Sequence, residues 1–357
     1  MTTIQTSLRV SLSQASTLIE TCGHDVTYLL QGQPGIGKSS ILASLSKSFP
    51  EYHTCYIDVA NLDLGDLATP VVDRERMHTE YAPNKRFGIS NDQHKPVLLM
   101  LDELGKASRP VMNMLLPVLL EHRLGDRVLP EGSIVFGTTN LASDGVQDNI
   151  PPHAANRMTV VRVDNPSADE WIAWAVNNNI RPEIMAFAKQ YPQVFDSYTD
   201  LEDRDTNPYI FNPRNGQTKA FCSPRSLAKA SAQVAKRDRL GAALLPALAG
   251  TIGEAAARDL EALVHLADQI PTFEAVTKSP ATAKLPDGAG GFFLMAFMLS
   301  GRVTAETLDA VITYVERWTS FEAQALFISV LASGPKVTFA VRNAKTTAMF
   351  AKFGKYF

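Results

Sequence analysis

The chain has 357 residues, 45% hydrophobic and 20% charged, with a formal net charge of −3. That is a globular composition long enough for more than one core, and the charge argues against bulk attraction to nucleic acid while allowing a local basic surface. Cys22, Cys55 and Cys222 are odd in number and lack CxxC spacing, so they read as buried thiols of a reducing compartment rather than a disulfide frame or zinc site.

In chain order, residues 1–11 show no apolar signal core, and the most apolar run, 291–299, is too short to span a bilayer. A cytoplasmic chain without a membrane segment is the expectation. Between residues 26 and about 163, short apolar runs alternate with helical stretches, as in a mostly parallel α/β sheet. Strands are expected at 26–30, 54–59, 97–101, 134–138 and 159–163, most of them almost continuously apolar, as strands covered on both faces should be. After Asn165-Pro166 the pattern turns helical, opening on Ser167-Ala168-Asp169-Glu170, a capping box ahead of an apolar run. Helices then continue to about residue 270, broken by one polar loop at 196–217. Residues 271–291, with three prolines and three glycines, read as a linker. Apolar residues at three- and four-residue spacings predict further helices over 304–318 and 321–331. The expected organisation is an α/β nucleotide-binding core (1–165), a helical segment (166–270), the linker (271–291) and a C-terminal helical region (292–357), with no internal repeat.

Two segments carry phosphate chemistry. Gly32-Gln33-Pro34-Gly35-Ile36-Gly37-Lys38-Ser39, followed by Ser40, fits G-x-x-x-x-G-K-[ST] between a strand and a helix. Glycines let backbone N–H groups turn inward on phosphate oxygens, and the helix N-terminus adds partial positive charge. Lys38 is expected at the β- and γ-phosphates, with the Ser39 hydroxyl on Mg²⁺. The second segment is the apolar strand 97–101 ending in Asp102-Glu103. Lying beside the strand of the phosphate loop, it would bring Asp102 to the Mg²⁺ shell and Glu103 to the water that attacks the γ-phosphate. ATP and Mg²⁺ are therefore the expected cofactors, and hydrolysis of ATP to ADP and phosphate the expected reaction.

Three later features are ordered along the chain: Thr138-Thr139-Asn140 after the strand at 134–138, Pro151-Pro152-His153-Ala154-Ala155-Asn156-Arg157, and Ser223-Pro224-Arg225 at a helix start. With these, the chain resembles the AAA+ ATPases. Within them it is similar to the MoxR-type and dynein-related branch, through Asp102-Glu103-Leu104-Gly105-Lys106-Ala107 and the stretch Leu119-Leu120-Glu121-His122-Arg123-Leu124-Gly125-Asp126, which ends on Leu129-Pro130. The resemblance covers about residues 27–260. It implies a P-loop α/β core followed by a helical lid over 166–270, with Asn140 as sensor 1, Arg157 as an arginine finger acting in a neighbouring subunit, and Arg225 as sensor 2. It further implies a hairpin insertion at 118–130, a ring that is generally a hexamer, and remodelling of a protein partner with a von Willebrand factor A-type protein. The chain departs from the family in carrying Asn140-Leu141 and Asn156-Arg157 where Asn-Pro and Asp-Arg are usual.

Other residues invite chemistry less. No histidine pair has helical metal spacing, and the acidic run 200–205 lacks the glycine and terminal Glu of a calcium loop. Trp171 and Trp174, at i and i+3, suit a helical core better than base stacking. Leu62, Leu64 and Leu67 follow the second strand, where the family places a pore-facing loop; they would either grip a substrate or pack a helix start. Residues 323–357 contain no acidic side chain, and Lys336, Arg342, Lys345, Lys352 and Lys355 interleave with Phe339, Phe350, Phe353, Tyr356 and Phe357. Two readings stay open for this tail: packing or subunit docking, and a nucleic-acid surface serving a motor or loader ATPase.

Overall fold

The computed structural model describes residues 8–89, 94–141, 150–200, 207–213 and 220–353. The chain divides into two compact units, Met1–Asn165 and Pro166–Phe357.

The first unit is α/β. In order it contains β1 (Arg9–Val10), α1 (Leu12–Cys22), β2 (Tyr28–Gln31), α2 (Ser40–Ser48), β3 (His53–Asp58), β4 (Ala68–Asp73), β5 (His78–Pro83) and β6 (Val97–Asp102). There follow α3 (Arg109–Glu121), β7 (Arg123–Leu124), β8 (Arg127–Val128), β9 (Ile134–Thr139), α4 (Pro152–Ala155) and β10 (Thr159–Val163). Six strands form one parallel sheet in the order β1-β10-β2-β9-β6-β3. Every residue of β2, β6 and β9 is buried, because both faces of the sheet are covered. Alternate side chains go to opposite faces. Leu30, Leu98, Met100 and Phe136 pack with Ile19 of α1 and Ile41 and Leu45 of α2, whereas Leu29, Leu99, Leu101 and Val135 pack with Val111, Met112 and Leu115 of α3.

The five expected strands are present, with ends displaced by no more than two residues. Their neighbours differ from expectation in one respect. β6 does not lie beside β2, because β9 is hydrogen-bonded between them, pairing Leu29 with Gly137 on one side and Leu99 with Val135 on the other. Apolar runs identify strands, but the order in which they pair depends on how the intervening helices cross over.

Two antiparallel hairpins stand outside this sheet. β7–β8 turns at Gly125-Asp126 within the expected insertion. β4–β5 was not foreseen; its side chains are mostly exposed, so it lacks the apolar alternation that marks a strand facing a core. The hairpins are tied together: the Tyr81 N–H donates to Asp126 Oδ2 at 2.6 Å, the Asp126 N–H donates to the Tyr81 carbonyl at 3.3 Å, and Arg127 lies 3.5 Å from Glu80. In the segment preceding β4, Leu62 and Leu67 are buried while Leu64 is exposed. Only Leu64 of these three is presented to solvent.

The second unit is helical: α5 (Ala168–Val176), α6 (Pro182–Gln190), α7 (Pro224–Val234), α8 (Arg237–Leu240), α9 (Leu244–Ile252), α10 (Glu254–Ala267), α11 (Phe273–Lys278), α12 (Gly288–Arg302), α13 (Leu308–Val315), α14 (Phe321–Ser333), α15 (Val337–Ala340) and α16 (Ala344–Phe353). Reciprocal capping boxes open α5 at Ser167 and α7 at Ser223. Residues 271–291, expected as a linker, hold α11 and the start of α12, and Phe273 and Val276 are buried in the helical core. Trp171 is buried in that core, whereas Trp174 is exposed.

The described part of the basic and aromatic tail is packed. Phe353 is fully buried, and Phe339 and Phe350 lie against the core. Lys336 donates to the Ser300 carbonyl at 2.8 Å, Lys345 to Thr313 Oγ1 at 3.1 Å, and the Lys352 ammonium sits 5.0 Å from the Phe353 ring centroid. Lys355, Tyr356 and Phe357 lie outside the described residues, as do positions 201–205 of the acidic run and 206 and 214–217 of the polar loop. Among the described residues no helix is long and apolar enough to cross a membrane.

Candidate nucleotide site

β2 delivers the chain to the glycine loop, and α2 leaves it with Ser39 as N-cap. Gly35 and Gly37 have φ of 81° and 111°, conformations open to glycine and costly for other residues. At Gly32 a Cβ would come within 2.7 Å of Ile36 Cδ1 and 2.8 Å of the Val163 carbonyl, so nothing larger fits. Lys38 is only 8% exposed. Its ammonium donates to the Gly32 and Gln33 carbonyls at 2.6 and 2.8 Å and to Asn140 Oδ1 at 3.1 Å. Gln33, also buried, accepts from Asn165 Nδ2 at 3.1 Å, and Ser40 Oγ donates to the Gly37 carbonyl at 2.6 Å. Ile36 anchors the loop in the core below, and Pro34 opens the turn.

Asp102 ends β6, 8% exposed. Its Oδ2 accepts from Ser39 Oγ at 3.0 Å and from the Tyr56 hydroxyl at 2.8 Å; its Oδ1 accepts from Thr138 Oγ1 and from the Glu103 N–H, the latter at 3.2 Å. Glu103 is left-handed, φ 57°, and its N–H also points to Thr138 Oγ1 at 3.3 Å. This turn lifts Glu103 off the strand end, and its carboxylate pairs with Lys106. A non-glycine residue held in this conformation is costly and recurs at functional sites.

The geometry thus joins Lys38, Ser39, Asp102 and Asn140 by direct hydrogen bonds at the C-terminal ends of β2, β6 and β9, with Glu103 next in the chain. Although β9 separates β2 from β6, it closes the gap from within, since Asn140 follows it and Thr138 is part of it. Arg157 is exposed in the turn between α4 and β10. Arg225 belongs to the second unit, exposed in the first turn of α7.

Tyr56 and Thr138 were not foreseen as parts of the site. Thr138 stands two residues before Asn140, which is a signal of sorts, whereas Tyr56 lies within β3 outside any motif. Burial pushes the Tyr56 phenol up to about 12, aided by its hydrogen bond to Asp102 and by the nearby charges of Asp102, Asp58 and Glu103, so it stays a protonated donor at neutral pH.

The donor set fits a magnesium ion carried in with a nucleotide. One carboxylate and one hydroxyl are hard oxygen ligands, and Mg²⁺ commonly takes one or two protein oxygens together with phosphates and waters. Among the described residues there is no cluster of three or more His, Cys, Asp or Glu side chains able to cage a metal unaided.

No family model matches the chain, and no curated protein matches it. Among solved structures, the chain is similar to Hsp104 in a closed state with ATPγS and casein, at 16% identity and a TM-score of 0.37, covering 70% of this chain and 42% of that one. This chain therefore spans less than half of the Hsp104 chain. It is similar as well to two mutants of Thermotoga maritima RuvB, at 14% and 12% identity with TM-scores of 0.35 and 0.38, covering 75% and 76% of this chain and 73% and 79% of theirs. These likenesses are distant.

Proposed function

We propose that the chain is a Mg²⁺-dependent ATPase of the AAA+ type that assembles into a ring, hexameric as in the family, and spends ATP on remodelling or assembling a protein partner. The observation that carries the ATPase reading is the direct joining of Lys38 to Asn140 and of Ser39 to Asp102 at one edge of a parallel sheet. Lys38 and the loop N–H groups bind the phosphates. Ser39 and Asp102 hold Mg²⁺, which supplies charge neutralisation on the phosphates when bound. Glu103 accepts the proton of the attacking water, while Asn140 orients that water without quenching the base. Arg157, exposed on its turn, serves the site of a neighbouring subunit, and Arg225 serves as the sensor of the lid.

The MoxR-type reading rests on the resemblance of the stretch from Val118 to Pro130, and the β7–β8 hairpin within it supports that reading. With it comes a von Willebrand factor A-type protein as the working partner. The packing of Phe353, Lys336 and Lys352 within the helical unit speaks for a structural tail over a nucleic-acid surface.

Two substitutions test the chemistry. Lys38→Ala should abolish nucleotide binding. Glu103→Gln should bind ATP and hydrolyse it at least ~10²-fold more slowly, the cost of losing a general base. Equal hydrolysis by Glu103→Gln and the parent would overturn the assignment of Glu103.

A further inference from the structure

Resting on the ATPase reading above, we infer that Tyr56 is a positioning residue for the metal-binding carboxylate of Asp102, acting through its hydroxyl. β3 is the edge strand of the sheet and pairs with β6 in parallel register, Tyr56 opposite Met100 and Asp58 opposite Asp102. Tyr56 and Asp102 are therefore diagonal neighbours on one face, a displacement that a tyrosine spans and a shorter side chain does not. Tyr56 as a residue is 52% exposed, so it contributes little to the core, and it is the hydroxyl end that is withdrawn from water against Asp102. A tyrosine kept there only for packing would leave its hydroxyl in water; this one places it 2.8 Å from Asp102 Oδ2.

The two carboxylate oxygens are held differently. Oδ1 is fixed from within the sheet by Thr138 and the Glu103 N–H. Oδ2 is the oxygen shared with Ser39, the other proposed metal ligand, and Tyr56 donates to the same oxygen. A carboxylate has about four lone-pair positions, and these four donors set its rotation about the Cβ–Cγ bond. Without the phenol, Oδ2 keeps only the Ser39 hydroxyl, and the rotation of the carboxylate is set by three donors instead of four. Groups that orient a metal ligand in this way typically contribute 10–100-fold in metal affinity.

Mn²⁺ with ADP serves as the probe, with free and bound metal measured by electron paramagnetic resonance on the full chain. Tyr56→Phe should raise the Mn²⁺ dissociation constant about tenfold. Nucleotide affinity in EDTA and the melting temperature should stay at parental values, and the deficit in turnover should be made good by excess Mg²⁺, so that KM for Mg²⁺ moves rather than kcat. Tyr52→Phe is the control, because that phenol donates to the Gly132 carbonyl, remote from the site, at 3.0 Å; it should match the parent throughout. Parental Mn²⁺ affinity in Tyr56→Phe, alongside an Asp102→Asn chain that no longer binds the metal, would overturn the role of Tyr56 alone. A lower melting temperature with metal-free nucleotide affinity lost in parallel would reduce Tyr56 to a packing residue and overturn it too. Failure of the parent to bind Mn²⁺ with ADP, or unchanged binding by Asp102→Asn, would overturn the site assignment itself, and the Tyr56 inference with it.

Discussion

Backbone conformation decides what individual residues of the loop tolerate. At Gly37, φ is 111° and a Cβ would sit 3.3 Å from Leu12 Cδ1, whereas at Gly65 nothing lies within 4 Å. Gly37→Ala should therefore cost about 1–3 kcal/mol, the usual penalty for a residue held in a sparsely populated conformation, and should weaken ATP binding as the loop refolds. Gly65→Ala should leave both nearly unchanged. Comparative thermal denaturation and nucleotide titration of the two variants check this, and equal effects would show that the loop relaxes freely. The thiols offer a second residue-scale test. Burial pushes Cys55 up to about 11 and Cys222 up to about 12, so alkylation of the native chain at neutral pH should begin at the half-buried Cys22. Mass-spectrometric mapping showing Cys222 modified first would contradict it.

Among the elements, the paired hairpins and the last helix carry the clearest expectations. Asp126→Ala removes the acceptor of the Tyr81 N–H and should speed hydrogen exchange at Tyr81 while leaving β6 and β9 protected. Phe353→Ala should destabilise the helical unit by about 3–5 kcal/mol, as deletion of a buried aromatic does; a change below 1 kcal/mol in chemical denaturation would mean that α16 contributes little to that core. These elements also show what a sequence reveals. The five parallel strands and the capping box at Ser167 were legible because continuous burial and helix starts leave local marks. The β4–β5 hairpin left none, since side chains such as Val71 and Val72 face water. The expected linker concealed α11 because helix formation there comes from burying Phe273 and Val276 rather than from local pattern. At the site, Lys38, Asp102 and Glu103 announce themselves through motifs. Tyr56 became visible only through strand register, which pairs residues some forty positions apart.

For the whole molecule, the decisive expectation is assembly. Arg157→Ala should keep ATP binding and lose most hydrolysis, since an arginine finger contributes ~10³-fold or more to phosphoryl transfer. Mixing Arg157→Ala with Glu103→Gln chains should restore activity at interfaces where an intact Glu103 meets an intact Arg157. No recovery in mixed assemblies of proven composition would argue against a finger acting between subunits. The sheet order has a consequence of another kind, for biosynthesis. β3 and β6 can pair as soon as Asp102 has left the ribosome, but both neighbours of β2, namely β9 and β10, are translated later, and β1 has only β10 to join. The carboxylate half of the site is therefore built first, and the lysine half waits for Val163. At about 5–20 residues per second that wait lasts several seconds, during which the nascent chain carries β2 without its β10 neighbour.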